Sequence, residues 1–400
     1  MKICIFTETY YPVVGGGETQ ARLLAEGLIT NGHTVIVLTR RSDAALRQHE
    51  DYGAVSVYRL APAGSGQLKK WGLLLSSLPA LIRLRDQYDL IFVSGYRIIG
   101  LTAMLVGKWF RKPVVLKADS QGEMSGEFFE SGLKKFGASR SSFPFRLFFG
   151  FRNMVLKNAE AFSAISPEIA SEWISNKVPL DKIHVIPNGV DTTRFTPVNA
   201  EQKAFLRKKL NLSQAATIVI YTGRLVSYKG LPLLLKVWKE ISCKNEHVLL
   251  LLVGSGGLDI HNCEAELREY VYSASLEKQV MFTGAVRNVQ EYLQASDIFV
   301  FPTENEAFGV SLVEAMACGL PVVTTPVGAI KTIVTHQENG LIVQPGNSKQ
   351  LFEALCIMLS DRVLASSLGQ AARQTVQEEY SAGNVTKKYI SLFQRILEAK

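Results

Sequence analysis

The residues whose types and spacing could do chemistry lie between Val300 and Val323, in V-F-P-T-E-N-E-A-F-G-V-S-L-V-E-A-M-A-C-G-L-P-V-V. An apolar strand runs to Phe301 and Pro302, and a polar loop with Glu304 and Glu306 follows it. Gly309 then opens an amphipathic helix that Gly319 and Pro321 stop. Glu306 falls in the loop, and Glu314 falls about a turn and a half into the helix. Two carboxylates beside the N–H groups of a helix start, at the carboxyl end of a strand, make a ligand site.

A second set precedes it. Arg224 and Lys229 follow a strand expected over Thr217–Thr222, on a loop bounded by Gly223 and Gly230. A fork-shaped cation and a point cation suit a diphosphate, whose charge spreads over several oxygens. Alone, the pair would read as two solvated surface charges; the carboxylates on the same sheet's strand ends argue otherwise. Carboxylates repel phosphate, so Glu306 and Glu314 are expected to face hydroxyls, one on a ribose and one on a sugar. The N–H groups of Gly309, Val310 and Ser311 are left for phosphate. A third glycine-rich turn, Gly15-Gly16-Gly17, lies between a strand over Lys2–Thr7 and a helix over Glu18–Ile29. It lets backbone approach a ligand closely, with a flexible turn as the lesser, competing reading. It is not G-x-G-x-x-G, and Thr39-Arg40-Arg41 stands where a dinucleotide fold places an acid.

The elements that must position these residues alternate throughout. The first half reads as strands over Lys2–Thr7, Thr34–Thr39, Leu90–Ser94, Pro113–Lys117, Ala161–Ile165 and Ile183–Ile186, with helices near Trp71–Asp86, Ile99–Phe110 and Pro144–Lys157. Ile186-Pro187-Asn188-Gly189-Val190-Asp191 has the turn chemistry of a junction. After a helix over Glu201–Leu210 the pattern restarts with strands over Thr217–Thr222, Val248–Val253, Val280–Thr283 and Asp297–Phe301. The fold class is α/β: two doubly wound, Rossmann-like domains at residues 1–190 and 191–383, with the ligand expected in the cleft between their strand ends.

Four hundred residues exceed one ordinary core, which agrees with two domains. The net charge of +8 suits nucleic acid, an anionic membrane or phosphorylated ligands and does not choose among them. No basic strand motif with interleaved aromatics appears, so a nucleic-acid partner is not expected. Five scattered cysteines without a C-x-x-C pair fit reduced thiols, hence a cytoplasmic protein, and neither a disulfide framework nor a zinc site. No apolar run reaches the length of a membrane span, and the N-terminal run is too short for a signal peptide. Between Ser131 and Lys157, however, six basic residues (Lys134, Lys135, Arg140, Arg146, Arg152, Lys157) accompany six phenylalanines and no acid. Basic and aromatic residues together suggest a peripheral contact with an anionic membrane, on the inner face of the cell membrane. Lys69-Lys70-Trp71 with Leu73-Leu74-Leu75 has the same character. The competing reading is a core helix with snorkelling cations, favoured over Phe143–Leu156, where apolar residues surround the wheel.

These motifs resemble a known family. Glu306-Ala-Phe-Gly-Val-Ser-Leu-Val-Glu314 is similar to the E-x7-E signature of retaining GT-B glycosyltransferases of family 4. The likeness continues through Gly223-Arg224 with Lys229-Gly230, Ile186–Asp191, Gly15-Gly16-Gly17 and Glu314-Ala-Met-Ala-Cys-Gly-Leu-Pro-Val, in the family's order over essentially the whole chain. The resemblance implies sugar transfer from a UDP- or GDP-linked donor to an acceptor hydroxyl with retention, without a metal or other cofactor. A carbohydrate or lipid-linked acceptor in cell-envelope, exopolysaccharide or glycolipid synthesis would follow. It implies that Arg224 and Lys229 neutralise the diphosphate, Glu306 contacts the sugar or its phosphate, and Glu314 holds the ribose. Gly16, Gly17, Gly254, Phe308, Gly309, Val310 and Ser311 complete the implied donor site. The last helix, Asn384–Lys400, is expected to pack back on the first domain.

Two departures stand out. Relatives often carry a histidine near the reacting sugar, where this chain reads Val115-Leu116-Lys117-Ala118-Asp119-Ser120-Gln121-Gly122-Glu123. Asp119 is the best positional match, with Ser120 and Glu123 as alternatives. Thr332 stands where relatives commonly have Glu, so donor preference is not transferable. A non-catalytic nucleotide-sugar-binding or scaffold protein of the same fold is the alternative to an enzyme.

Overall fold

A computed structural model describes all residues except 14, 65–66, 130–141, 258 and 400, and the side chains of 67–71 and 129 also lie outside it. Lys134, Lys135 and Arg140 are thus outside the described residues, as are the side chains of Lys69, Lys70 and Trp71. The chain divides into two compact units, Met1–Gly189 with Ala382–Lys400, and Val190–Ser381.

The first unit carries strands β1 (Lys2–Thr7), β2 (Thr34–Arg40), β3 (His49–Tyr52), β4 (Val55–Leu60), β5 (Leu90–Ser94), β6 (Val114–Lys117), β7 (Ala161–Ala164) and β8 (Ile183–Val185). They form one sheet in the order β3-β4-β2-β1-β5-β6-β7-β8, parallel except for the β3–β4 pair. β5, β6 and β7 are buried at every position, as expected of apolar runs in a parallel sheet covered on both faces. The sequence reading passes over β3 and β4: His49-Glu50-Asp51-Tyr52 offers no apolar run, because this edge strand is half exposed. Its helices are α1 (Gly16–Thr30), α2 (Gln67–Arg83), α3 (Gly100–Phe110), α4 (Phe143–Leu156) and α5 (Pro167–Ser175).

The second unit has a six-stranded parallel sheet. Its strands are β9 (Thr217–Thr222), β10 (Val248–Val253), β11 (Val280–Gly284), β12 (Ile298–Phe301), β13 (Val322–Thr324) and β14 (Leu341–Ile342), in the order β11-β10-β9-β12-β13-β14. Helices α6 (Ala200–Lys209), α7 (Leu231–Lys244), α8 (Glu264–Ser273), α9 (Val289–Ala295), α10 (Val310–Ala317), α11 (Ile330–Ile333), α12 (Ser348–Ser360) and α13 (Arg362–Thr375) connect and cover these strands. The final helix, α14 (Ala382–Glu398), belongs to the first unit. It lays Val385, Tyr389, Leu392 and Phe393 into that unit's core beside Leu24, Leu28 and Phe92.

One expectation needs correction. α4 is not apolar all round because it is buried all round: Phe143 is 83% exposed, Leu147 66%, Phe151 58% and Met154 60%. Only Phe149, Arg152 and Leu156 turn inward, since a single face of the helix meets the rest of the unit. Arg152, counted above among the cations of a membrane-facing stretch, is fully buried and donates to the carbonyls of Glu123 and Met124 at 2.9 and 2.7 Å.

Candidate functional site

In the second unit, three strand-to-helix turns at the carboxyl ends of β9, β10 and β12 collect the predicted residues. Gly254, after β10, has φ +140°, and a Cβ there would stand 1.9 Å from the Gly223 carbonyl oxygen. Only glycine lets the two turns approach this closely. Gly309, with φ +94°, turns the chain into α10. Among the described residues the N–H groups of Val310 and Ser311 have no hydrogen-bond partner, as the first turn of a helix leaves them.

Lys229 is buried, 7% exposed, and lies between the rings of Phe301 and Tyr228. Its ammonium donates to Glu306 Oε2 at 2.8 Å and to the Asn305 carbonyl at 3.0 Å. The other carboxylate oxygen of Glu306 accepts the Ala307 N–H at 3.0 Å. Arg224, in contrast, is an open side chain, ion-paired to Asp259 and donating to the Tyr228 hydroxyl at 2.9 Å. Each of the two cations therefore rests on a carboxylate. Asp259 went unnoticed in the sequence, although an acid just past the Gly254–Gly257 turn shares the strand-end edge with Arg224. Glu314 keeps partial exposure on α10. The protein packed around it nevertheless pushes its carboxyl up to about 7, with Arg194 acting weakly in the opposite direction. Phe308 is buried and meets Tyr380 edge to face, closing the apolar side of the loop.

In the first unit, Gly16 begins α1, and a Cβ on Gly17 would lie 3.4 Å from Asp119 Oδ2. Asp119 stands just past β6, paired with Lys117 and accepting from Ser94 Oγ at 3.1 and 3.2 Å. Lys117 is buried, which works against its charge, but Asp119 with Tyr389 and Glu123 together outweigh this and the ammonium is held above its ordinary pKa. Glu123 is buried completely. Its Oε1 accepts the N–H groups of Asp119 and Ser120 and the Ser120 hydroxyl, all at 3.1 Å, and pairs with Arg97 at 3.4 Å. Burial raises its pKa despite Arg97. Of the three residues considered at this place, Glu123 is thus a floor of the loop, and Asp119 keeps an open flank. A residue that sequence reasoning missed holds the loop from below: Glu172 on α5 accepts the N–H groups of Gly122, Met124 and Ser125 at 2.6, 3.0 and 2.8 Å. Nothing local in the sequence announces this contact, which spans about fifty positions.

Two α/β units, each built on a largely parallel sheet, are the architecture of the GT-B type. The profile for "Glycosyl transferases group 1" matches residues 202–375, and that for "Glycosyltransferase Family 4" matches residues 14–194. An uncharacterized glycosyltransferase of Methanocaldococcus jannaschii is 26% identical over 100% of this chain and 99% of its own. Among solved structures, a sucrose-phosphate synthase from Thermosynechococcus elongatus superposes with a TM-score of 0.79 at 24% identity, covering all of both chains. HepE from Anabaena in complex with UDP-glucose does so with a TM-score of 0.75 at 19% identity, over 99% of this chain and 100% of its own. The chain belongs to the family 4 glycosyltransferases.

Proposed function

We propose that this glycosyltransferase moves a hexose from a UDP- or GDP-linked donor to an acceptor hydroxyl with retention and without a metal. The observation that carries the reading is Lys229, an ammonium buried beside Arg224 at the strand ends, where both cations rest on exchangeable carboxylates. A buried positive charge is costly unless it meets a negative one. Without a ligand Glu306 is that group for Lys229; in the proposed complex the diphosphate joins or replaces it, and the two cations supply the charge that a metal would otherwise bring. In the reaction the bond from the anomeric carbon to the phosphate oxygen breaks and the acceptor oxygen bonds to that carbon. The acceptor proton passes to the leaving phosphate, so the products are a glycoside and a nucleoside diphosphate. Arg224 and Lys229 stabilise the charge that develops on the departing oxygen. Glu314 holds the ribose, Asp119 meets the transferred sugar, and the N–H groups at the start of α10 face phosphate. HepE, bound to UDP-glucose, is a relative in fold and supports a nucleotide-sugar donor.

The acceptor is carbohydrate or lipid-linked, and catalysis takes place at the cytoplasmic surface of a membrane. Among the described residues no helix is long and apolar enough to cross one. Phe143, Leu147, Phe151 and Met154 instead form an exposed apolar stripe on α4. Beside it lies a groove of about 660 Å³ between α3 and α4, rimmed by Lys108, Arg111 and Lys112. Apolar surface with a basic rim suits an anionic interface.

A screen of nucleotide sugars for turnover, run with and without EDTA and with NMR of the product anomer, tests the reading. Retained configuration and EDTA-insensitive turnover are expected. Inversion, or loss of activity with EDTA that added metal restores, would overturn the corresponding part. Co-sedimentation with anionic vesicles should fall at least about fivefold for Leu147→Ser/Phe151→Ser and in high salt.

A further inference from the structure

Three neighbouring strands of the first unit end in polar residues that share one register. Ser94 of β5 pairs with Lys117 of β6, and Lys117 with Ser163 of β7. They are the only polar residues of those strands, and all three are buried. An ammonium in such a place must be neutralised, because charge buried without a partner is far costlier than charge in water. Asp119 does this: it pairs with Lys117 through Oδ1 and accepts the Ser94 hydroxyl. On the other side of the row, Ser163 Oγ and Tyr389 Oη lie 2.9 Å apart, so α14 closes that end.

The opposite flank of the carboxylate is open. Asp119 retains 22% side-chain exposure, against 4% for Lys117. Cβ atoms built on Gly95 and Gly17 would lie 3.0 and 3.4 Å from Oδ2, so these two glycines put no side chain against that oxygen. Oδ1 is thus tied to the buried cation, while Oδ2, which also accepts the Ser94 hydroxyl at 3.1 Å, lies on the glycine-lined flank and as a carboxylate oxygen can accept a second hydrogen bond.

We propose that Lys117 is a positioning residue that orients Asp119 and cancels its charge, so that Oδ2 accepts a hydroxyl of the transferred sugar. The inference rests on the sugar-transfer reading above. Its physical content is that a Lys–Asp pair is neutral overall and still accepts a hydrogen bond, so it can meet a sugar hydroxyl without adding net negative charge. Lys117 touches no substrate; it acts through Asp119.

The test compares wild type, Lys117→Arg, Asp119→Asn and the double variant Lys117→Met/Asp119→Asn, which removes both buried charges together. The readouts are kcat and donor KM with the donor that wild type turns over, the Kd for the corresponding nucleoside diphosphate, and Tm. Asp119→Asn should lower kcat at least about tenfold and leave the Kd within about twofold. Adding Lys117→Met to it should change kcat by less than about twofold and should raise Tm, because the stranded ammonium is gone. Lys117→Arg, which keeps a cation, should retain more kcat than Asp119→Asn. A further tenfold drop in kcat in the double variant, or a lower Tm than that of Asp119→Asn, would show Lys117 acting independently and overturn the proposal. If wild type turns over no nucleotide sugar, the transfer reading fails and takes this one with it. If wild type is active and the losses multiply, only the role of Lys117 fails.

Discussion

The two units treat charge in opposite ways. At the strand ends of the second unit, Arg224 is exposed and Lys229 is buried, and each rests on the carboxylate of one side chain, Asp259 or Glu306. In the first unit the charged groups are locked into the protein. Lys117 and Glu123 are buried, and Arg152 and Glu172 are spent on the backbone of the loop from Gly122 to Ser125. Only one flank of Asp119 remains open. Under the proposed donor assignment, the strand-end pairs of the second unit mark where a charged ligand binds, and the buried pairs of the first mark the frame that holds a neutral contact in place.

Substitutions can break this comparison, beginning with the largest effect. If Lys229 neutralises the donor diphosphate as proposed, Lys229→Ala should lower kcat/KM by about 10²–10³-fold with an unchanged fold by circular dichroism. Arg224→Ala, at an exposed and water-screened position, should cost about tenfold less in the same assay; equal losses would erase the distinction between the two cations. Glu314 sharpens the picture through pH. Its carboxyl is raised to about 7, so its neutral form is favoured on folding. The corresponding stability is complete below the unfolded-state value near 4.5 and is lost as pH rises through about 7. Relative to Glu314→Gln, the wild type should therefore lose stability between pH 5 and pH 8, by about 3 kcal/mol at full burial and less with the side chain partly exposed. A pH-independent Tm difference between the two would contradict the raised value. The smallest effect is expected in the frame: Glu172→Ala should cost about 2 kcal/mol in urea unfolding, because three loop N–H groups lose their acceptor. It should also speed amide exchange at Gly122, Met124 and Ser125 while leaving nucleotide affinity unchanged.

The same contrast explains what could be read from the sequence. Motifs of the second unit are local: Gly223 to Gly230 and Glu306 to Glu314 each fit one strand–turn–helix, so residue type and spacing suffice to place them. Strands survive as apolar runs for the same reason, whereas the charged edge strand His49–Tyr52 does not. Lys117 was visible as a lysine closing an apolar strand two residues before Asp119, yet Ser94, Ser163 and Tyr389 join this row only through sheet register and the returning helix. Glu172 and Arg152 meet their loop only in the folded chain. The aromatic helix Phe143–Leu156 misleads for a related reason, since composition shows an apolar wheel but not how much of it finds a covering neighbour.

The most direct test of the central claim is calorimetric titration of UDP and of GDP into wild type and Lys229→Ala. Wild type should bind one of the two nucleotides, and the variant should bind it at least about tenfold more weakly. Equal affinity in both proteins, or no binding of either nucleotide to wild type, would contradict the assignment of the strand-end cations to a donor diphosphate.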